Sequence, residues 1–133
     1  MSASGTLTLS KREKLCGRKP IERLFGGGGS RSMSAFPLRI VYVKAERDGR
    51  EPDVKILVSV SKRHFKHAVK RNRVKRQVRE AYRLNKDILL KAFDKDGNEG
   101  LDIAFIWLDD KLWSTAEVEK RMRSLLHRVS EKI

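Results

Sequence analysis

Eleven of the 31 lysines and arginines in this 133-residue chain lie within residues 62–86, where Glu80 is the one acidic residue. This segment therefore carries ten of the fourteen formal net positive charges of the chain. Guanidinium and ammonium groups at this density bind phosphates, and arginine adds bidentate contacts and stacking on bases. The chemistry predicted for the segment is the binding of a polyanion.

A helix is predicted over residues 67–92, and its faces differ sharply in composition. The side expected to contact the core comprises Val74, Val78, Ala81, Tyr82, Asn85 and Leu89. A different side carries Asn72, Lys75, Arg76, Arg79, Arg83 and Lys86. Like charges on adjacent turns repel one another by roughly a few tenths of a kcal/mol per pair. An external counter-charge such as a phosphate backbone would remove that repulsion. The alternative interpretation is a solvent-exposed face that only keeps the protein soluble.

One domain is predicted for residues 1–133, because this length suffices for one hydrophobic core and no composition change marks a second. Residues 1–19 are interpreted as a loose N-terminal arm. A short helix opened by Pro20 is expected to end at Phe25. Residues 26–30, four of them glycine, are interpreted as a flexible loop, since they lack the Gly-Lys-Ser/Thr ending of a phosphate-binding loop.

Three strands are predicted where hydrophobic and β-branched residues cluster, over residues 36–44, 54–60 and 101–108. A turn signal at residues 48–49 favours a hairpin between the first two strands. Ser114 followed by Glu117 is the pattern of a capping box, which predicts the start of a last helix there.

The residues that a stand-alone enzyme or a metal site would need do not occur in suitable patterns. His64 and His67 lie inside the basic segment, which repels divalent cations, and the single Cys16 has no partner for a disulfide. We therefore expect no catalytic residue, no metal ligand and no bound cofactor in the polypeptide. No apolar stretch approaches the roughly 18–20 residues of a membrane span, so no membrane partner is expected and the cytoplasm is the expected setting. Charge alone does not distinguish RNA from DNA, although helix-turn-helix and zinc-finger spacings are missing and no DNA partner is expected.

Three segments around the basic helix resemble the signature of the bacterial ribonuclease P protein subunit. They are Ser59-Val60-Ser61-Lys62, Arg71-Asn72-Arg73-Val74-Lys75-Arg76 and Val78-Arg79-Glu80-Ala81-Tyr82-Arg83. The resemblance extends over about residues 9–129 and is most specific at the Arg-Asn-Arg core. It implies an α+β fold, a single-domain α/β sandwich whose small central sheet carries the long basic helix in a left-handed βαβ crossover, against the usual right-handed preference.

The resemblance also implies a function, that of the RNA-binding subunit of a ribonucleoprotein endonuclease that removes the 5′ leader from precursor tRNA. The implied partners are the catalytic RNA and precursor tRNA, and Mg²⁺ is expected to be held through the partner RNA. Carried over residue by residue, the expected contacts with the catalytic RNA are Lys70, Arg71, Asn72, Arg73, Lys75, Arg76, Arg79 and Arg83.

The family also binds the leader in a cleft between the first helix and one face of the sheet. The residues expected to line this cleft are Ile21, Phe25, Phe36, Arg39, Tyr42, Ser59, Ser61, Lys62 and Arg63. Strand parity leaves open whether Tyr42 or its odd-numbered neighbours face the cleft. The alternative function is that of a ribosome-associated or general RNA-binding protein without leader selectivity.

Overall fold

A computed structural model describes residues 11–15, 17–26, 29–47, 53–93 and 99–133. Its strands are β1 Arg31–Ala35, β2 Leu38–Glu46, β3 Val54–Ser59 and β4 Glu99–Trp107. Its α-helices are α1 Arg18–Gly26, α2 Ala68–Asn85, α3 Asp87–Leu90 and α4 Thr115–Lys132. A short 3-10 helix, Lys11–Glu13, precedes α1.

The strands form one mixed sheet in the order β1-β2-β4-β3. β2 pairs antiparallel with β1 and β4, whereas β3 runs parallel to β4 and reaches it through α2. The long helix is therefore the crossover between two parallel neighbours, as the α+β prediction requires; the hand of that crossover stays a prediction. The predicted hairpin between residues 36–44 and 54–60 is wrong, because β4 lies between β2 and β3. The strand β1 was not predicted, and the turn expected at residues 48–49 lies outside the described residues.

The two faces of the sheet are covered by different parts of the chain. On one face, Leu38, Ile40 and Tyr42 of β2 are buried together with hydrophobic residues of α2, α3 and α4. On the opposite face, Val41 and Ala104 belong to a smaller buried cluster with Leu15 and Leu24. The sheet thus lies between a layer of helices and a layer made by α1 and the segment before it. Removing these apolar side chains from water holds both layers in place.

The basic helix buries the side that its spacing predicted. Val74, Val78, Ala81 and Tyr82 are all buried against the sheet and α4. The helix is shorter than predicted, since α2 ends at Asn85 and α3 starts at Asp87. Between them, the Lys86 side chain is buried, and its ammonium donates to the Glu13 carboxylate at 2.8 Å. Lys86 therefore does not belong to the exposed basic side to which the sequence assigned it.

The last helix begins as its cap predicts. The Ser114 hydroxyl accepts a hydrogen bond from the Glu117 backbone N–H at 3.2 Å. Apolar residues on one side of α4 then pack into the core, namely Val118, Met122, Leu125, Leu126 and Val129. None of the helices in the described part of the chain combines the length and apolar character needed to cross a membrane.

Candidate nucleic-acid interface

One side of α2 points away from the sheet and carries most of the predicted RNA contacts. We call this set the basic face; it comprises Asn72, Arg73, Lys75, Arg76, Arg79 and Arg83. Asn72, Arg73 and Arg76 are exposed, and the others are half-buried. Among the residues that the structure describes, no carboxylate forms an ion pair with Arg73, Lys75, Arg76 or Arg79. Lys70 lies in the first turn of α2 and is exposed as well.

Arg83, near the end of α2, differs from the other cations of the basic face. Its Nε donates to Glu80 Oε2 at 3.0 Å, and a second, shorter contact joins the same two side chains. This hydrogen bonding lowers the pKa of the Glu80 carboxyl and raises the pKa of the Arg83 guanidinium. Positive charge without a carboxylate partner is therefore concentrated between Arg73 and Arg79.

Arg71, predicted to contact RNA, is partly used inside the protein. Its Nη1 donates to the backbone carbonyl oxygens of Phe65 and Lys66, at 2.9 Å and 3.0 Å. Arg71 is half-buried, and Phe65 is part of the hydrophobic core. The guanidinium thus fixes the loop that enters α2. No sequence pattern indicates this role, because the acceptors are backbone atoms.

A row of side chains crosses the sheet on the face that α1 covers. We call it the cleft row; it comprises Ser34, Arg39, Ile106 and Ser59. Arg39 pairs in register with Ser34 and with Ile106, and Ile106 pairs with Ser59. Three strand spacings separate the two ends of this row, which corresponds to about 15 Å. The row offers two hydroxyls, one guanidinium and one apolar side chain.

α1 lies over the next row of the sheet and leaves the cleft row open. Leu24 is fully buried against Val41 and Ala104, whereas Phe25 remains 53% exposed. Phe25, Val41, Arg39 and Ile106 line a cavity of about 170 Å³ together with Leu24, Ser30, Arg31 and Ser32. Phe25 and Arg39 therefore line the same cleft; its role in leader binding stays a prediction. Ile21 lies one turn before Phe25 on α1 and is also exposed.

Tyr42 and Phe36 do not lie in this cleft. Tyr42 is 4% exposed and faces the helix layer with Leu38 and Ile40, because alternate residues of a strand share a face. Its odd-numbered neighbour Val41 takes the position under α1. Phe36 lies in the turn between β1 and β2, where its ring packs against Trp113 instead of α1.

The turn after β3 joins the cleft row to the basic face. The Arg63 N–H donates to the Ser61 hydroxyl at 3.0 Å, while Ser61, Lys62 and Arg63 all have exposed side chains. This turn follows Ser59 and leads into the start of α2. The cleft and the Arg-Asn-Arg end of the basic face therefore lie at the same end of the sheet.

A side-chain hydrogen bond that the sequence did not indicate also connects two loops at this end of the sheet. His64 Nδ1 lies 2.6 Å from Asp110 Oδ1, which connects the turn after β3 with the loop after β4. The two residues are far apart in sequence, so spacing gives no signal for their contact. Among the described residues, no group of three or more histidine, cysteine or acidic side chains could hold a metal ion.

Comparisons with known proteins identify the family and the fold of the chain. The family model for ribonuclease P matches residues 9–130. The ribonuclease P protein component of Porphyromonas gingivalis is 41% identical over 130 residues, which are 98% of this chain and 92% of that protein. The RNase P protein from Thermotoga maritima superposes with a TM-score of 0.65 at 21% identity, covering 87% of this chain and 96% of the other. The RNase P protein of Staphylococcus aureus gives the same TM-score at 18% identity, over 88% and 94% of the two chains.

The two structural neighbours share the α+β fold with this chain, and the family model and the relative extend over nearly all of it. The chain therefore belongs to the ribonuclease P protein family, the protein components of the ribonucleoprotein endoribonuclease that processes tRNA.

Proposed function

We propose that this chain binds the catalytic RNA of ribonuclease P through the basic face of α2, and the 5′ leader of precursor tRNA in the cleft beside α1. The observation that carries the proposal is the position of the two surfaces. The Arg-Asn-Arg end of α2 and the open cleft row lie at the same end of the sheet, joined by the turn at Ser61–Arg63. A leader in the cleft would therefore lie next to RNA bound on α2.

The basic face suits a folded RNA. Arg73, Lys75, Arg76 and Arg79 repel one another along the helix, and phosphates between them would turn that repulsion into attraction. The exposed amide of Asn72 adds a donor and an acceptor for a base edge or a sugar hydroxyl. About six phosphate contacts would give a log–log dependence of affinity on salt with a slope of roughly −4 to −5.

The cleft suits a single strand. Phe25 offers an exposed ring on which a base can stack, while Arg39, Ser34 and Ser59 supply polar groups for sugar and phosphate. Mature tRNA has no leader, so these contacts favour precursor over product. The leader contacts therefore raise the affinity for precursor and assist turnover, because mature product leaves the cleft empty. In this proposal Mg²⁺ ions held by the RNA supply the hydrolytic chemistry, the polypeptide supplies no catalytic residue, and the enzyme works in the cytoplasm.

Reconstitution with a cognate catalytic RNA at low Mg²⁺ tests the first part of the proposal. The protein is expected to accelerate removal of the leader under conditions where the RNA alone is slow. The double variant Arg73→Ala/Arg76→Ala should need more protein to reach the same rate. Cleavage by the protein without RNA, or no acceleration by the wild-type protein, would contradict the proposal.

Binding to precursor and to mature tRNA tests the leader assignment. Phe25→Ala in the reconstituted enzyme should weaken precursor binding about tenfold, the typical contribution of one stacked base, and leave mature tRNA binding unchanged. Phe25→Tyr keeps a ring and should bind the precursor as the wild type does. Equal affinity of the wild type for both RNAs would instead favour a general RNA-binding protein.

A further inference from the structure

Phe36 and Trp113 form an exposed aromatic pair beyond the end of the cleft. Their ring centroids lie 6.0 Å apart with an interplanar angle of 66°, and Phe36 is 53% exposed. Trp113 is held in place: its indole N–H donates to Asp109 Oδ2 at 2.7 Å, and its carbonyl accepts from Gln77 Nε2 at 3.0 Å. A fixed ring thus supports a second ring whose outer face is open.

Arginines of α4 and β2 surround the segment that carries the aromatic pair. The Arg121 guanidinium is 5.8 Å from the centre of the Trp113 ring. Arg128 Nη1 donates to the carbonyl of Ser34 at 3.1 Å, and Ser34 lies two residues before Phe36 in the chain. Arg39 lies three residues after Phe36. Two carboxylates also lie here: Asp109 accepts the indole N–H, and Glu117 Oε2 lies 3.9 Å from Arg121 Nη2. An exposed ring flanked by cations fits an unpaired base together with its phosphates.

The register of the sheet shows at which end of the cleft row the aromatic pair lies. The Ser59 end of the cleft row leads through Lys62 and Arg63 to α2. The opposite end is Ser34, and Phe36 lies two residues further along the chain, in the turn that joins β1 to β2. A single strand of RNA that crosses the cleft row would therefore have its inner end beside the start of α2 and its outer end beside Phe36.

We propose that the aromatic pair is a second stacking site for the leader, and that it holds a base further from the cleavage position than Phe25 does. This inference rests on the proposed function, since it takes catalytic RNA to lie on α2. A base stacks on the open face of Phe36, and its flanking phosphates approach Arg39 and Arg128. Short leaders end within the cleft and do not reach this site.

Precursors whose leaders lengthen by one nucleotide at a time test the assignment in the reconstituted enzyme. The affinity of the wild-type enzyme for precursor should rise with leader length in two stages. The first stage occurs when the leader fills the cleft, and the second when it reaches Phe36. Phe36→Ala should remove the second stage, a loss of about tenfold for long leaders, and should leave short leaders and mature tRNA unaffected. Phe25→Ala should weaken binding for short and long leaders alike.

Matched variants separate stacking from other effects of the substitution. Phe36→Tyr should bind long leaders as the wild type does, whereas Phe36→Leu, which keeps an apolar side chain but no ring, should behave like Phe36→Ala. Leu112→Ala alters a neighbouring exposed apolar residue without removing a ring, and should change nothing. Since Phe36 is more than half exposed, none of these changes should shift the midpoint of thermal unfolding measured by circular dichroism.

Three results would overturn the assignment. Unchanged affinity of Phe36→Ala at every leader length would show that no leader base stacks there. Equal losses for long precursor, mature tRNA and isolated catalytic RNA would assign the patch to the catalytic RNA. A change in the sedimentation of the free protein with Phe36→Ala would assign it to self-association. A wild-type protein that fails to prefer precursor over mature tRNA would instead refute the proposed function, and this inference with it.

Discussion

Arg47 and Asp102 form an ion pair inside the protein, with 5% and 1% of their side chains exposed. Asp102 lies on β4, under α1, where Arg23 Nη2 approaches its other carboxylate oxygen to 4.0 Å. Arg47, which follows β2, also donates to the carbonyl of Leu101 at 3.2 Å. One buried carboxylate thus connects the end of β2, the central strand β4 and the helix that borders the cleft.

The substitution Asp102→Asn should lower the free energy of unfolding by about 3 kcal/mol, because it removes one partner of a buried ion pair. Urea unfolding measures this change. The control is Glu22→Gln, which breaks the exposed Arg18–Glu22 pair on α1 and should cost less than about 0.5 kcal/mol. Similar small losses for both variants would contradict a structural role for Asp102.

Arg71 and Arg73, two positions apart on α2, have different predicted roles. Arg71→Ala removes two hydrogen bonds to the loop before α2 and should lower the free energy of unfolding by about 1–2 kcal/mol. Arg73→Ala, at an exposed position, should change it by less than about 0.5 kcal/mol. Chemical denaturation of the free protein distinguishes the two.

Arg73 should matter for binding to the catalytic RNA, whereas Arg71 should matter for stability. Arg73→Ala should weaken binding and reduce the steepness of the salt dependence by about one unit, as the loss of one phosphate contact does. Arg71→Lys should keep the charge but not the paired hydrogen bonds, so its stability should stay below that of the wild type. If Arg71→Lys restores full stability, the loop contacts do not depend on the guanidinium shape.

Gly100 has no room for a side chain. A Cβ there would lie 2.3 Å from the backbone oxygen of Asp53 and 2.7 Å from Arg47 Cγ. Gly100→Ala should therefore cost about 1–3 kcal/mol of stability through overpacking. Gly26→Ala is the control, since a Cβ there meets nothing within 4 Å, and it should leave stability unchanged or slightly higher. Thermal unfolding of both variants measures the contrast.

The pKa of the Asp109 carboxyl lies below its ordinary value of 3.8, chiefly because the Trp113 indole N–H donates to the charged form. The stabilisation that this brings is present above pH 3.8 and is lost as the pH falls through the lowered pKa. Trp113→Phe keeps a ring but removes the donor, and should raise the pKa of Asp109. Carboxyl NMR titration measures it, and the pKa of Glu80, set by Arg83, should not move. An unchanged Asp109 pKa would contradict the assigned cause.

Local patterns predicted the elements whose stabilising contacts are close in sequence. The buried side of α2 follows from the spacing of Val74, Val78, Ala81 and Tyr82, and the start of α4 from a capping residue beside its partner. The strand β1 has the sequence Arg-Ser-Met-Ser-Ala, with little hydrophobic character. It forms because β2 offers a backbone edge for pairing, and no local pattern indicates that.

Contacts between distant residues explain the remaining differences. Lys86 fits the basic side by helical angle, but Glu13, far away in sequence, draws it into the interior. The face that Tyr42 occupies was undecided from sequence, because both faces of this sheet are covered and both strand parities are hydrophobic. β4 lies between β2 and β3, and its pairing with them is likewise long-range. A turn signal near residue 48 carries no information about such pairing.

The contact between Glu13 and Lys86 has a consequence for the outer edge of β3. It helps to dock the N-terminal segment, in which the Leu15 N–H donates to the Ile56 carbonyl at 2.6 Å and Lys14 bridges to Ile56 in parallel. That segment occupies hydrogen-bonding groups that would otherwise recruit a strand from another molecule. At the opposite edge, Arg128 occupies the carbonyl of Ser34. The N-terminal segment therefore covers part of the β3 edge, and Arg128 caps one carbonyl of the β1 edge, so fewer backbone groups remain for edge-to-edge aggregation.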